Sequence, residues 1–297
     1  MPELPDVERG RRLLQARCVG REITRVLAAD DSIVFCNERG GELEALLRGR
    51  QVLSTGRRGK QFWLTLSGGL CLLLHFGMTG EIHVHGERQN HYRKVDIAVG
   101  GEWPPLYTKL EIELSGDVLV AYTDPRRLGR IRTFVGEAAD CPTIKKLGFD
   151  PVLDPPDLAE FREAIGRRRM AIKSLLLSQE FSAGVGNWIA DEVLYQSRIH
   201  PLQLACELSE RQAEELLWQL KHVCNTAVSV NAESELFPKD WLFHYRWSKG
   251  KKGEGRATMP SGQRIEFVTV GGRTSAIVPD IQAMPAAGRK RKHKDEE

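Results

Sequence analysis

The chain has 297 residues, a formal charge of +3, 41% hydrophobic and 28% charged side chains. Those proportions exclude a disordered or fibrous chain and leave room for two domains with a sizeable core. No apolar run approaches the roughly 20 residues that span a bilayer, so no membrane partner is expected.

The charge is informative through its placement. Arginines cluster at Arg57-Arg58, at Arg126-Arg127 with Arg130 and Arg132, and at Arg167, Arg168 and Arg169, and the chain ends RKRKHKDEE. The opening residues MPELPDVERG are too charged for a secretory leader. The same stretch predicts a helix: Pro5 fits a first turn, Asp6 and Glu8 favour the positive end of the dipole, and Leu13-Leu14 supply a buried side. If Met1 is removed, Pro2 becomes a free secondary amine. An α-amino group titrates near about pH 7.7–8.0, so part of it is an uncharged nucleophile at neutral pH. On these residues alone, a simple helix cap or a disordered end is the ordinary reading.

From about Ile23 to Val135 the pattern changes to short apolar runs broken by Gly, Asp and Asn: ITRVLAA, QFWLTLSG, LCLLLHFG, KVDIAVGG, LEIELSG and VLVAYTD. Alternation and turn residues predict an antiparallel sandwich or barrel. GFDPVLDPPD then marks a Pro-rich boundary. Beyond it DLAEFREAIGRRRMAIKSLLLSQ and NWIADEVLYQ carry helical spacing, with Asn187 as an expected N-cap, and SERQAEELLWQLKHVCNTAVSV starts with a Ser209…Gln212 capping box. After Pro238 come strand-like YRWSKG, RIEFVTV and TSAIVP, then a polar tail. The expected class is α+β: an N-terminal helix and antiparallel β-sandwich over 1–135, a linker over 136–157, a helical domain over 158–245, a β-hairpin piece over 246–282 and a disordered basic tail over 283–297.

The six cysteines form no CxxC pair, the closest being eighteen positions apart, so no metal site of that spacing is expected. Reduced thiols fit an intracellular protein.

Four short stretches carry chemistry. In AGVGNWIADEVLYQ, Gly184 and Gly186 precede a helix N-terminus, where backbone amides favour a phosphate. Lys173, behind the three arginines, adds a cation, although a tight turn between helices explains the glycines equally. In DPRRLGRIR an apolar Leu128 stands among four arginines, where a solvated face would be ordinary. Apolar side chains pushed between base steps kink duplex DNA. Met78 in HFGMTG is a second such candidate, or else a core methionine. In GRRGKQFWL, Lys60 enters an apolar strand, facing either a cleft or open water.

Together, PELPDVE, GRRGK, HFGMTG, DPRRLGR and AGVGNWIADEVLYQSRIHP resemble, in order, the formamidopyrimidine-DNA glycosylases, bifunctional base-excision repair enzymes with a helix–two-turn–helix domain; the likeness runs from Pro2 to about Gln282. The resemblance implies damaged double-stranded DNA as partner and one copy per lesion, hence a monomer. It implies Pro2 as nucleophile, Glu3 in sugar-ring opening and proton transfer, and Lys60 at the lesion. Met78, Arg126 and Leu128 would fill the space left by the everted base, with Arg127 beside them, and Asn187 would grip a backbone phosphate. Two residues depart from the family pattern: Asp6 replaces a glutamate, and Leu128 a frequent phenylalanine. Bacterial members end in a four-cysteine zinc finger. This chain has no cysteine after Cys224, and GGRTSAIVPDIQ is similar to the zincless finger of the plant and fungal branch, with Arg273 as the finger arginine. No zinc and no cofactor are therefore expected. Implied substrates are formamidopyrimidines, hydantoins, abasic sites and, as a further candidate, 8-oxoguanine. An endonuclease VIII-like enzyme for oxidised pyrimidines is disfavoured by Leu4, because those begin PEGP. A non-catalytic DNA-binding protein is disfavoured by Pro2, Glu3 and Lys60. The tail reads either as a nuclear localisation signal or as a solubilising, DNA-attracting arm.

Overall fold

The structure, a computed structural model, describes residues 2–38, 40–87, 102–247 and 257–284. The expected strand KVDIAVGG, Met1 and the basic tail lie outside the described residues. The chain packs as two compact units: Met1–Pro155 with Ser178–Gly186 and Lys221–Pro238, and Pro156–Leu177 with Asn187–Leu220 and Lys239–Glu297.

In the first unit, α1 (Leu4–Cys18) starts as its sequence predicts, with Pro5 in the first turn. Two antiparallel four-stranded sheets follow. One has the order β1 (Ile23–Ala28), β6 (Thr108–Leu114), β7 (Val118–Thr123), β5 (Glu81–Val84), and the other β2 (Val52–Arg58), β3 (Gln61–Leu66), β4 (Leu70–His75), β8 (Arg130–Val135). Strict alternation in QFWLTL buries Phe62, Leu64 and Leu66 against Ile82, Ile112 and Val120 of the facing sheet and Val7 and Leu14 of α1. LCLLLH is apolar from Leu70 to Leu74 because both faces are covered there. Leu70, Leu72 and Leu74 enter the main core, while Cys71 and Leu73 meet Ala138, Cys141 and Ile144, the last on the short α3 (Pro142–Lys145). Each of these buried leucines contributes about 1.5–3 kcal/mol of burial. Among the elements that escaped the sequence reading, GGELEALL, inside the strand-rich stretch, forms α2 (Gly40–Leu47) and buries Leu43 and Leu47 at helical spacing.

The second unit holds α4 (Leu158–Gly166), α5 (Ile172–Leu177), α6 (Asn187–Gln196) and the first part of α7 (Glu210–Ser229). The Ser209…Gln212 capping box forms in both directions, at 3.0 and 3.2 Å. A hairpin of β9 (Glu266–Val270) and β10 (Arg273–Ile277) turns at Gly271-Gly272, whose φ values of 54° and 74° suit the tight turn that two glycines favour. The start of YRWSKG is not a strand: Tyr245, Arg246 and Trp247 form a turn after the single 3-10 turn Leu242–His244, and the rest lies outside the described residues. Ala276 and Val278 pack with Leu242, Met259 and Ile265 in a small hydrocarbon core. Among the described residues no three His, Cys, Asp or Glu side chains are placed to hold a metal, and no helix is long and apolar enough to cross a membrane.

Candidate functional site

Glu3 is the N-cap of α1 and is 1% exposed. Its N–H donates to Asp6 Oδ2 at 2.9 Å while its carboxylate accepts from the Asp6 N–H, a reciprocal capping box. The shorter Asp6 therefore closes the box. Burial pushes its pKa up, with Arg9 partly opposing. Pro2, half-buried, is held directly behind this fixed residue.

The glycines of AGVGN explain how the segment is received. The Leu4 N–H donates to the Gly184 carbonyl at 3.1 Å. A Cβ on Gly184, whose φ is 93°, would lie 2.8 Å from Leu4 Cβ, and one on Gly186 only 2.2 Å from Glu3 Cδ. Both glycines make room for the chain's own N-terminal segment. The sequence leaves open a phosphate or a tight turn there; the close contact is with the chain itself.

The β2–β3 turn carrying Lys60 docks on the same loop. Gly59, with φ of 57°, would place a Cβ 2.8 Å from the Gly184 nitrogen and from Ala183 Cβ. Arg57 holds the turn from beneath. Its side chain is 1% exposed and donates to Asp150 Oδ2 at 2.5 Å, to Glu8 Oε2 of α1 at 3.1 Å and to the Gly59 carbonyl at 3.2 Å. Asp150 also accepts the Gly59 N–H at 2.8 Å. Pro2-Glu3 and Lys60 are thus brought together around residues 183–186.

His75 belongs to this group and was missed in the sequence. It ends β4 opposite Gln61, and its Nδ1 accepts the Gly77 N–H at 3.1 Å, which leaves the neutral ring's hydrogen on Nε2. Burial, then the charges of Lys60, Arg130 and Arg132, lower its pKa to about 4. The visible signal was a polar residue closing an otherwise apolar strand.

The two candidate wedge turns adjoin. Asp124, fully buried, accepts from Thr79 Oγ1 beside Met78 (2.6 Å), from the Arg126 N–H (3.2 Å) and from the Gly129 N–H (2.6 Å). Arg126 and Leu128 are exposed, Leu128 by 39%, and Met78 is partly so. Arg127 corrects the sequence reading. Its guanidinium grips Asp31 through two bonds of 2.9 and 3.0 Å, with φ of 56°, so it braces the turn. Burial alone would raise the Asp31 pKa, but Arg127 and Lys109 hold it below the carboxylate range.

In the second unit Lys173 is likewise corrected. It is fully buried, bonded to Asp191 Oδ1 at 2.6 Å and to the Thr274 carbonyl at 3.1 Å, and so unsuited to a phosphate clamp. Asp191 also accepts from Arg246 (2.5 Å), Ser275 (2.7 Å) and the Ala276 N–H (3.1 Å), which ties α6 to the hairpin. Asn187 is the first helical residue of α6, not its N-cap, and its Nδ2 donates across to Thr274 O at 3.0 Å. An amide nitrogen carries two hydrogens, so one donor is left for a ligand. Arg273, next to Thr274, is exposed.

Two outcomes follow from this geometry. In an NMR titration the His75 ring should stay neutral from about pH 8 to about pH 5, with its midpoint rising in Lys60→Ala; a midpoint above about 6 would refute the assignment. Because the folded pKa lies below the unfolded one, the His75 contribution to stability is intact above about pH 6.5 and declines as pH falls toward about 4. Lys173→Ala leaves Asp191 short of a buried partner and should cost about 3–5 kcal/mol in urea unfolding; a loss under about 1 kcal/mol would mean that the pair is not structural.

Residues 1–131 match the formamidopyrimidine-DNA glycosylase N-terminal domain, and residues 147–237 the formamidopyrimidine-DNA glycosylase H2TH domain. The chain is 40% identical over 284 residues to a formamidopyrimidine-DNA glycosylase of Arabidopsis thaliana, covering 96% of this chain and 71% of that one. It is 31% identical to the enzyme of that name from Thermus thermophilus, covering 95% and 98%. Among solved structures, it is similar to MutM (Fpg) from Thermus thermophilus, with a TM-score of 0.74, 29% identity and coverage of 96% and 100%. It is also similar to the Lactococcus lactis protein bound non-covalently to DNA containing an AP site, with a TM-score of 0.75, 25% identity and coverage of 95% and 100%.

Proposed function

Since the chain belongs to the formamidopyrimidine-DNA glycosylase family and is a DNA glycosylase of repair, we propose that it removes oxidised purines from duplex DNA and then cuts the strand through an imine formed at Pro2. The observation that carries this reading is the meeting of the Pro2-Glu3 segment and the Lys60 turn on one glycine-lined loop. The Lactococcus lactis relative was crystallised with abasic-site DNA and with DNA carrying a substituted formamidopyrimidine, and damaged DNA is the partner we assign here.

The target sugar lies inside a duplex, so its base must leave the stack first. Met78, Arg126 and Leu128 fill the gap, while Lys60, Asn187 and Arg273 hold phosphates. The Pro2 nitrogen, free once Met1 is removed, attacks C1′. The glycosidic bond breaks and the base departs with a proton. Sugar-ring opening, helped by Glu3, leaves an iminium that is cationic without needing a proton, because the amine is secondary. That cation acidifies C2′–H. Loss of this proton expels the 3′ phosphate, a second elimination expels the 5′ phosphate, and water returns Pro2. Proton transfer by Glu3 contributes about a hundred- to ten-thousand-fold. His75, neutral in this pH range, adds a donor that does not depend on charge. Formamidopyrimidines and hydantoins are the assigned lesions, with 8-oxoguanine a further candidate. The basic tail is assigned as a nuclear address, and a fluorescent fusion lacking residues 289–297 should lose nuclear enrichment.

Borohydride should trap a covalent complex on duplexes carrying an abasic site or a hydantoin. The band should vanish in Pro2→Gly and fall at least about tenfold in Lys60→Ala. The yield on an 8-oxoguanine duplex ranks that lesion against the others. DNA binding without any trapped band would leave a lesion-binding protein instead of an enzyme.

A further inference from the structure

We propose that Asp124 is a positioning residue that joins the Met78 and Leu128 turns into one wedge, so that the two tips enter the DNA gap together; this rests on the void-filling role assigned to them above. The two turns belong to separate connections, 76–80 after β4 and 124–129 after β7. They nevertheless share their supports. Asp124 Oδ1 takes the Thr79 hydroxyl of the first turn and the Arg126 N–H of the second, and Oδ2 takes the Gly129 N–H that closes the second. A carboxylate offers only acceptors, so it satisfies three donors from two segments at once. With no exposed surface, the group cannot exchange these bonds for water.

Packing repeats the link. A Cβ on Gly77 would lie 2.3 Å from the Leu128 carbonyl oxygen, so the peptides of the two turns touch. The Tyr122 hydroxyl donates to His75 O at 2.9 Å, at the foot of the first turn, and occupies the space that a side chain on Gly80 or Gly129 would need. Arg127, pinned to Asp31, blocks rotation of the second turn about its own ends. Neither tip can shift without straining the other. A leucine is a small wedge by itself, and a rigid pairing with Met78 lets two small tips act as one large one.

The test is a double-substitution cycle on single-turnover excision from a hydantoin duplex. Each rate is normalised to that protein's trapping on a single-stranded abasic oligonucleotide, which has no stack to open. Met78→Ala and Leu128→Ala should each slow duplex excision, and the double variant should be slowed about tenfold less than the product of the two, since each tip already depends on the other. In Thr79→Val, which removes one donor and keeps the shape, the effects should multiply, with single-stranded trapping unchanged. Asp124→Asn should also abolish the coupling, by setting an amide N–H against one of its donors. Multiplying effects in the parent protein, or coupling that survives both support variants, would overturn the proposal. If neither tip variant slows duplex excision, the wedge reading itself fails and takes the proposal with it.

Discussion

The candidate site depends on one buried guanidinium. Arg57 is withdrawn from water almost completely, and a bare cation there would be prohibitive. Its charge is met by Glu8 from the first helix and by Asp150 from the segment after the sandwich, and the Gly59 carbonyl takes a further N–H. Three stretches distant in sequence must therefore arrive in one geometry before the cation can be tolerated. That requirement makes the Lys60 turn rigid: its backbone is bonded on both sides of Gly59, once to Arg57 and once to Asp150. A lysine on a free hairpin would sample many positions. With the turn held in this way, the lysine starts from one fixed backbone position.

The second constraint is the absence of side chains. Loop 183–186 receives Glu3, Leu4 and Gly59 at distances that no Cβ would permit. Such close approach holds Pro2 through the backbone of its neighbour. Cap, helix and loop together restrict a terminus that would otherwise fray.

Much of this was legible. The Pro5 start, the alternation of QFWLTL, the Ser209 capping box and the paired strands of RIEFVTV and TSAIVP obey local rules, and the structure follows them. The misreadings share a physical origin. Lys173 and Arg127 look like clamp residues because sequence shows charge and hides burial; their carboxylate partners lie 18 and 96 positions away. Gly184 and Gly186 are compatible in sequence with a nearby phosphate or a tight turn, because a glycine announces only that something comes close. Asn187 had the composition of a cap, but it stands inside α6 as the first helical residue, with its Nδ2 turned to the Thr274 carbonyl, 87 positions on. Helix α2 was hidden because eight residues within a strand-rich stretch give too short a period to stand out.

The carboxylate of Asp191 has a consequence for the conditions in which the protein works. It anchors the hairpin by bonds to nitrogen and oxygen, over a core of hydrocarbon, and the chain has no cysteine beyond Cys224. A finger built on thiolates loses its metal when peroxide converts those sulfurs to sulfenic acid or disulfide. The oxidants that damage purines are the same ones. A joint made of a carboxylate and its donors presents them with no thiolate, so the hairpin keeps its shape under the oxidative stress that damages DNA.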